Sequence, residues 1–395
     1  MLFLKIVFWV SFFIIFYSYL GYGIFLWIYL RFKTPGKATL PLHSISFEPE
    51  ISLIIATYNE EAIIKKKIEN TLSLDYPSNK IKLIIIADGS TDESVNIISR
   101  YSQIQLLYEP KREGKVAAIN RAMEFITTPF VIFCDANTFL NKESIREIVK
   151  HFLDPTIGAV AGEKKVMNLS GDQDTTGAGE GLYWKYESVL KQLDAKFYTV
   201  VGAAGELFSI RTALYEPVQN DVLLDDFIIS MEICKKGYKV MYEPRAYAAE
   251  APSLTIKEEQ KRKIRISAGG FQSIVMLKSL LNIFKYGRLS FQYISHRVLR
   301  WALCPVLLPL LYIANMFLYF LYDEQFYQIM LILQTLFYLS AFIGWLMVLK
   351  KFKSSFFYIP YYFVFMNASL YIGFFRYLNN SQSVLWDKAS RKREL

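Results

Sequence analysis

The sequence predicts an α/β chain whose water-soluble middle is held between membrane helices. Residues 1–30 carry a single charge, Lys5, and the roughly 80 residues after Trp301 are again mostly apolar. Apolar stretches of ~20 residues have the length that crosses a bilayer as a helix. Between them, from Ile51 to about Pro252, short β-branched runs alternate with amphipathic stretches in a mixed, charged sequence. That alternation is the pattern of βαβ units and a mostly parallel sheet.

The N-terminal stretch has neither a basic n-region nor a short small-residue cleavage site, so residues 1–30 are expected to stay as an anchor and not to leave as a signal peptide. Arg31, Lys33 and Lys37 follow at once. The positive-inside rule puts those charges in the cytoplasm, with the N-terminus outward and the middle of the chain inward, in a cell inner membrane or plasma membrane. Pro35, Gly36 and Pro41 mark residues 31–49 as a linker.

The α/β pattern fills residues 50–258. ISLIIATY, KLIIIAD, QLLYEP and FVIFCDA read as strands, with helices over residues 62–74, 93–101 and 115–126 between them. In such sheets ligands bind beyond the carboxyl ends of the strands, which points to residues 57–60, 88–90 and 135–137. Residues 259–300 are basic with apolar residues interleaved (Arg262, Lys263, Arg265, Lys278, Lys285, Arg288, Arg297, Arg300), and part of this stretch is expected on the membrane surface. About three spans follow within residues 301–380, near 301–322, 326–349 and 356–378. Four crossings put the C-terminus outside, whereas Lys388, Arg391, Lys392 and Arg393 in the tail 381–395 favour the cytoplasm. A re-entrant stretch or an exception to the rule would reconcile the two.

Composition removes several function classes. A hydrophobic fraction of 53% with 21% charged residues excludes intrinsic disorder. Cys134, Cys234 and Cys304 are far apart and show no CxxC spacing, which argues against a disulfide framework or a zinc site. His43, His151 and His296 are equally scattered, leaving little material for Ser-His-Asp or Cys-His chemistry. The formal charge of +9 raises nucleic acid as a partner, but the basic residues cluster beside the membrane segments, where anionic lipid accounts for them.

The strand ends carry the chemistry. Asp135 and Asn137 are two oxygen-bearing side chains that could reach one hard cation, or they could form a turn opening a helix over residues 142–152. Asp88 could accept hydrogen bonds from a base or ribose, with Gly89 permitting close backbone approach, or the DGSTD segment could be a strand-to-helix turn capped by Ser90 or Asp92. Tyr58 and Glu60 offer an aromatic face and a carboxylate, although a tyrosine there is more often packing. Lys111, Arg112 and Lys115 could meet phosphate at a helix N-terminus, or be a solvated face.

In order, TYNEE, ADGSTDES, REGKVAAIN and FCDANT over about 80 residues resemble the family-2 glycosyltransferases of GT-A fold, a Rossmann-like nucleotide-sugar domain. The resemblance extends to GAAGELFSIR at residues 202–211 and LLDDF at residues 223–227, and covers roughly residues 50–270. One N-terminal anchor with several C-terminal spans also looks like the membrane-bound polysaccharide synthases of this family.

The resemblance implies that Tyr58, Glu60, Asp88 and Lys115 hold the nucleotide diphosphate and that Asp135 and Asn137 are the metal triplet, for Mg²⁺ or Mn²⁺. Asn replaces the family's second Asp and brings less charge to the ion. It further implies that Asp226 is the general base, with Asp225 as its supporting neighbour. A physical argument agrees: adjacent carboxylates in a closed site repel, and desolvation raises at least one pKa toward the range useful for proton abstraction. Acids are also favoured at a helix start, the structural alternative for this pair. Where polymer-forming members carry Gln-x-x-Arg-Trp, this chain has Arg262-Lys263-Ile264-Arg265-Ile266. Arg265 and Arg262 could neutralise a leaving diphosphate, or line a membrane-surface face. The missing Trp removes a platform for the acceptor sugar.

The expected activity is transfer of a sugar, with inversion, from a UDP-linked donor to a hydroxyl in cell-surface polysaccharide synthesis. The alternatives are a single transfer to a membrane lipid carrier and a non-catalytic nucleotide-sugar-binding scaffold. The partners are the donor, a glycan or lipid-linked acceptor and the membrane, with self-association or an export partner needed if the chain moves a polymer outward.

Overall fold

The computed structural model describes residues 2–33, 47–166, 175–253, 255–322, 324–350, 352 and 354–385, without the side chains of residues 175–180, 182 and 355. His43, most of the expected linker, the charges at 323, 351 and 353, and the basic tail beyond 385 lie outside the described residues.

In chain order, α1 (Leu2–Phe16) runs through a π-helical turn, Tyr17–Gly21, into α2 (Tyr22–Phe32). There follow β1 (Ile51–Thr57), α3 (Ile64–Leu72), β2 (Ile81–Asp88), α4 (Ser94–Ile98), β3 (Ile104–Glu109), α5 (Lys115–Met123), β4 (Phe130–Asp135) and β5 (Thr138–Leu140). Next come α6 (Ser144–Val149), β6 (Ile157–Val166), α7 (Thr175–Phe197), β7 (Leu207–Arg211), α8 (Asp225–Lys235) and β8 (Lys239–Glu250). The remainder is helical: α9 (Ile256–Met276), α10 (Ile283–Tyr286), α11 (Arg288–Tyr293), a π-helical segment Ile294–Leu303, α12 (Cys304–Leu321), α13 (Gln325–Leu349) and α14 (Ser355–Leu378). The chain divides into two compact units, one of Met1–Tyr29, Ser170–Tyr183 and Ser253–Gln382, the other of Leu30–Leu169, Trp184–Pro252 and Ser383–Leu395.

The second unit is built on one eight-stranded sheet of order β3-β2-β1-β4-β7-β6-β8-β5. The expectation of a mostly parallel sheet holds only from β3 to β4 and between β6 and β8; β7 runs antiparallel to β4 and β6, and β5 antiparallel to β8. The reason lies in where β7 starts. Leu207 pairs with Cys134, so the chain enters β7 at the carboxyl end of β4 and can only run back along it. The loop before β7 is thereby placed beside Asp135.

The strands of the parallel half read as unbroken apolar runs because both faces are covered. Ile51, Leu53 and Ile55 pack with Ile64 and Ile68 of α3 and with Ile132 and Cys134 of β4 in the main core. Lys67 on α3 is fully buried, and its ammonium donates to the Thr138 carbonyl at 2.6 Å and to Cys134 Sγ at 2.9 Å. A buried cation persists only with partners, and these two lie in β4 and at the start of β5, on either side of the turn after β4.

In the first unit, three helices among the described residues are long and apolar enough to cross a membrane: Leu2–Phe32, Arg288–Leu321 and Gln325–Leu349. The middle one begins well before the expected start near Trp301, so Arg297 and Arg300 sit on the same continuous helix as that apolar stretch. The third expected C-terminal span is a helix, α14, but with Pro360, Asn367 and Arg376 it is not among these three. A Cβ on Gly373 of α14 would lie 2.4 Å from Ser267 Cβ and 2.8 Å from the Ala268 nitrogen of α9. Small residues at such crossings let helix backbones approach closely. Gly373→Leu is therefore expected to force α14 off α9 and lower the melting temperature of detergent-purified protein; an unchanged melting curve would show that the contact is not needed.

Candidate active site

The loops after β1 and β2 are laced together by short polar side chains. Thr91 N donates to Asn59 Oδ1 at 2.8 Å, Asn59 N to Ser90 Oγ at 3.2 Å, Glu60 N to Ser94 Oγ at 2.8 Å and Glu61 N to Asp92 Oδ2 at 3.0 Å. Asn59 holds a positive φ of 52°, which asparagine tolerates better than most residues. Ser94 N donates to Asp92 Oδ1 at 3.0 Å, a turn just ahead of α4; the N-cap is Glu93, in place of the Ser90 or Asp92 that the turn reading expected. The Glu60 carbonyl accepts from Ile63 and Ile64 N and starts α3.

Gly89 has φ +69°, and a Cβ there would lie 2.5 Å from Arg112 Cβ. The glycine thus lets residues 110–114 close onto the end of β2. From that loop the Arg112 guanidinium lies 3.7 Å from the centre of the Tyr58 ring, a cation–π contact. Asp88, buried, accepts from Glu113 N at 3.0 Å, Gly114 N at 2.7 Å and Arg121 at 2.5 Å. The N-terminus of α5 attracts an anion, and Asp88 supplies it. Lys111 is not gathered toward that terminus; it pairs with Glu113 at the surface.

Lys115, the first residue of α5, reaches Asp135 Oδ1 at 2.7 Å and Asp225 Oδ2 at 3.8 Å. A Cβ on Gly205 would lie 3.2 Å from Lys115 Nζ and 3.5 Å from Asp226 Oδ2, so the Asp226 carboxylate stands beside the same ammonium. Burial works against the charge of Lys115, but Asp135, Asp225 and Asp226 more than restore it and hold the ammonium above the ordinary lysine range. Burial also raises Asp135; Lys115 pulls it back, while Glu206 and Glu250 push it further up. Asp226 is raised to about 7 by burial and by the adjacent Asp225, against the opposing pull of Lys115. Ser230 fixes this corner, its hydroxyl donating to the Asp226 carbonyl at 2.7 Å and accepting from Ala203 N at 2.9 Å.

Behind these residues Lys164 of β6, its side chain wholly buried, pairs with Glu206 at 2.7 Å and with Glu250. Five carboxylates, Asp135, Asp225, Asp226, Glu206 and Glu250, thus gather around two ammonium groups, Lys115 and Lys164. That excess of negative charge is the condition for attracting a cation.

Of the residues singled out in the sequence, Asp135, Lys115, Asp225 and Asp226 come together around one ammonium, and Asp88, Tyr58 and Glu60 occupy the adjoining loops. Asn137 is half-buried two residues beyond Asp135. Its segment does not open a helix: β5 intervenes, and α6 starts only at Ser144. Arg262 and Arg265 lie on α9 in the other unit, where Arg262 stands 3.7 Å from Glu259. Arg112, expected with Lys111 at the helix N-terminus, stacks on Tyr58; Arg121, Lys164, Glu206 and Glu250 were not anticipated. The available signal was a charge inside an apolar strand, as in GAVAGEKKV and AYAAE.

Among the described residues no three His, Cys, Asp or Glu side chains converge closely enough to hold a metal by themselves. The donors nonetheless suit a hard ion: a carboxylate and an amide oxygen two residues apart at a strand end, in a surplus of negative charge. Such a site needs further oxygen ligands from a substrate.

A family model described as Glycosyl transferase family 2 matches residues 52–216. The chain is 25% identical to poly-beta-1,6-N-acetyl-D-glucosamine synthase of Staphylococcus aureus over 249 residues, 60% of this chain and 58% of the synthase. To the synthase of the same name from Staphylococcus epidermidis it is 26% identical over 251 residues, 61% of this chain and 58% of the relative. The match therefore spans less than two thirds of either synthase. A solved structure of the mannosyltransferase PcManGT from Pyrobaculum calidifontis, in complex with GDP-Man and Mn2+, superposes with a TM-score of 0.69 at 20% identity, covering 96% of this chain and 100% of the other. The likeness shows a GT-A-like fold.

The strained Asp226 carboxylate makes a pH signature. Its folded pKa lies above its unfolded value of 3.8, so ionising it costs stability from about pH 4 upward, and the full cost is present above about pH 7. With divalent ions chelated, Asp226→Asn is expected to raise the melting temperature over wild type by an amount that grows from pH 4 to 7 and then levels off. A pH-independent difference would mean that the carboxylate is not strained.

Proposed function

We propose, from the match of a glycosyltransferase family 2 model to residues 52–216, that the chain is a membrane-anchored, inverting transferase moving a sugar from a UDP-linked donor to a hydroxyl of a cell-surface polysaccharide. The observation that carries the proposal is the set Asp135, Lys115, Asp225 and Asp226 at the carboxyl ends of the strands, with the open side of Gly205 against Lys115 and Asp226. The named likeness to poly-beta-1,6-N-acetyl-D-glucosamine synthases favours polymer synthesis and an N-acetylglucosamine donor.

In this reading Tyr58, Glu60 and Asp88 hold the nucleoside and Lys115 the diphosphate. Asp135 and Asn137 would hold Mg²⁺ or Mn²⁺, which supplies charge neutralisation to the leaving diphosphate when bound. Asp226 takes the proton from the acceptor hydroxyl, and the raised affinity of its carboxylate for protons suits it to that task near neutral pH. Asp225 keeps that affinity high by repulsion. One displacement at the anomeric carbon inverts its configuration. The basic Arg31 and Lys33 after the first apolar helix support a cytoplasmic site for this chemistry by the positive-inside rule.

A second reading is favoured by one departure. Residues 262–266, RKIRI, lack both the Gln and the Trp expected of polymer-forming members, which suits a single transfer to a lipid carrier. Radiolabelled donor separates the two: label confined to the organic-soluble fraction supports the carrier, and label in water-soluble polymer supports the polysaccharide. In either case Asp226→Asn is expected to lower turnover by roughly 10²–10⁴-fold while donor affinity, measured by calorimetry, is retained. Wild-type turnover in that variant would remove Asp226 from the mechanism.

A further inference from the structure

Three elements meet at Lys164, and their register explains why. On β6, Lys164 lies opposite Ala248 of β8, two residues from Glu250. Glu250 in turn lies opposite Thr138, the first residue of β5. Thr138 Oγ1 donates to the Asp135 carbonyl at 3.0 Å and lies 3.5 Å from the Glu206 carbonyl. Glu206 closes the loop whose Gly205 rests against Lys115 and Asp226. One buried ammonium therefore ties the loop on the Asp226 side to the strand on the Asp135 side.

We propose that Lys164 is a positioning residue: its ammonium clamps Glu206 to Glu250 and so fixes Gly205 and Asp226 relative to Asp135, without itself meeting substrate. Without the cation, the Glu206 and Glu250 carboxylates would lose the positive charge they share, and the segments bearing them would part. The ring of Trp184, 5.0 Å from Lys164 Nζ, covers the cation further. The Lys164 side chain is wholly buried, so the lysine acts through the loop that Glu206 closes. The catalytic consequence rests on the transferase reading above; the charge coupling does not.

The test uses the full chain in detergent, comparing Lys164→Met, the pair Glu206→Gln with Glu250→Gln, and the triple variant. Lys164→Met is expected to lower the melting temperature and, assayed well below it, to lower kcat roughly 10–100-fold with donor KM nearly unchanged, as a misplacement of about 1 Å does. Neutralising both glutamates in the triple variant is expected to restore the melting temperature and most of kcat. Lys164→Met equal to wild type in both measures overturns the proposal, as does a triple variant no better than the single. Should Lys164→Met fail to fold, a folded triple variant supports the clamp and an unfolded one overturns it. A Lys164→Met protein that is less stable but turns over normally would show a lysine needed only for folding. If the wild type transfers no sugar from any donor, the transferase reading fails, while the thermal rescue still reads the clamp.

Discussion

Everything at the carboxyl end of the sheet depends on an imbalance of charge. Asp135, Asp225, Asp226, Glu206 and Glu250 converge on Lys115 and Lys164, and burial weakens the screening of the difference by water. The fold meets the imbalance in two ways. Lys115 spreads one positive charge over three aspartates, and Asp226 rises until it binds a proton near neutrality. In the proposed transferase reading the first readies a pocket for a cation-bearing anionic ligand and the second supplies a base.

The imbalance is a product of topology. A purely parallel sheet would send β7 off from the opposite edge and leave the segment 202–206 away from Asp135. Because β7 enters beside the end of β4 and returns antiparallel, that segment is laid across the strand ends, and α8 delivers Asp225 and Asp226 in its first turn. The two readings of the aspartate pair are compatible: they are the acids a helix start favours, and their place beside Lys115 is what the proposed role requires. The same holds for Asp88, which serves the N-terminus of α5 while lying at the end of β2.

Much of this was legible in the sequence. The parallel half announced itself by ISLIIAT, KLIIIAD and FVIFCD, since strands covered on both faces are written as apolar runs. The strand-end rule then led to Asp88 and Asp135 with no further information. The antiparallel half was not legible, because the direction of a strand is set by where the preceding loop enters, and LFSIR reads alike either way. Lys164 and Lys67 were missed for a related reason: a lysine in a strand or an amphipathic helix looks solvent-facing until its partners, distant in sequence, are known. Glu250 is 86 residues from Lys164, and only the register of β6 on β8 brings them together. The start of the second apolar helix was misplaced because Arg297 and Arg300 read as a boundary, although long basic side chains can ride on a continuous helix.

The two buried lysines bracket the turn after β4 from different sides. Lys67 holds the Thr138 carbonyl, and Lys164 reaches the same residue through Glu250, its neighbour across the β5–β8 pair. Asp135 is thus anchored by backbone that two cations restrain, while its carboxylate stays partly exposed and engaged by Lys115. Rigidity behind and a replaceable partner in front is the arrangement a binding site needs if a ligand's charge is to exchange with the protein's own without moving the strand. The ligand's shape is then left to the loops after β1, β2 and β3 and to the segment before β7. These are the parts of this unit whose conformation rests on polar side chains and glycines, in place of the sheet's apolar core.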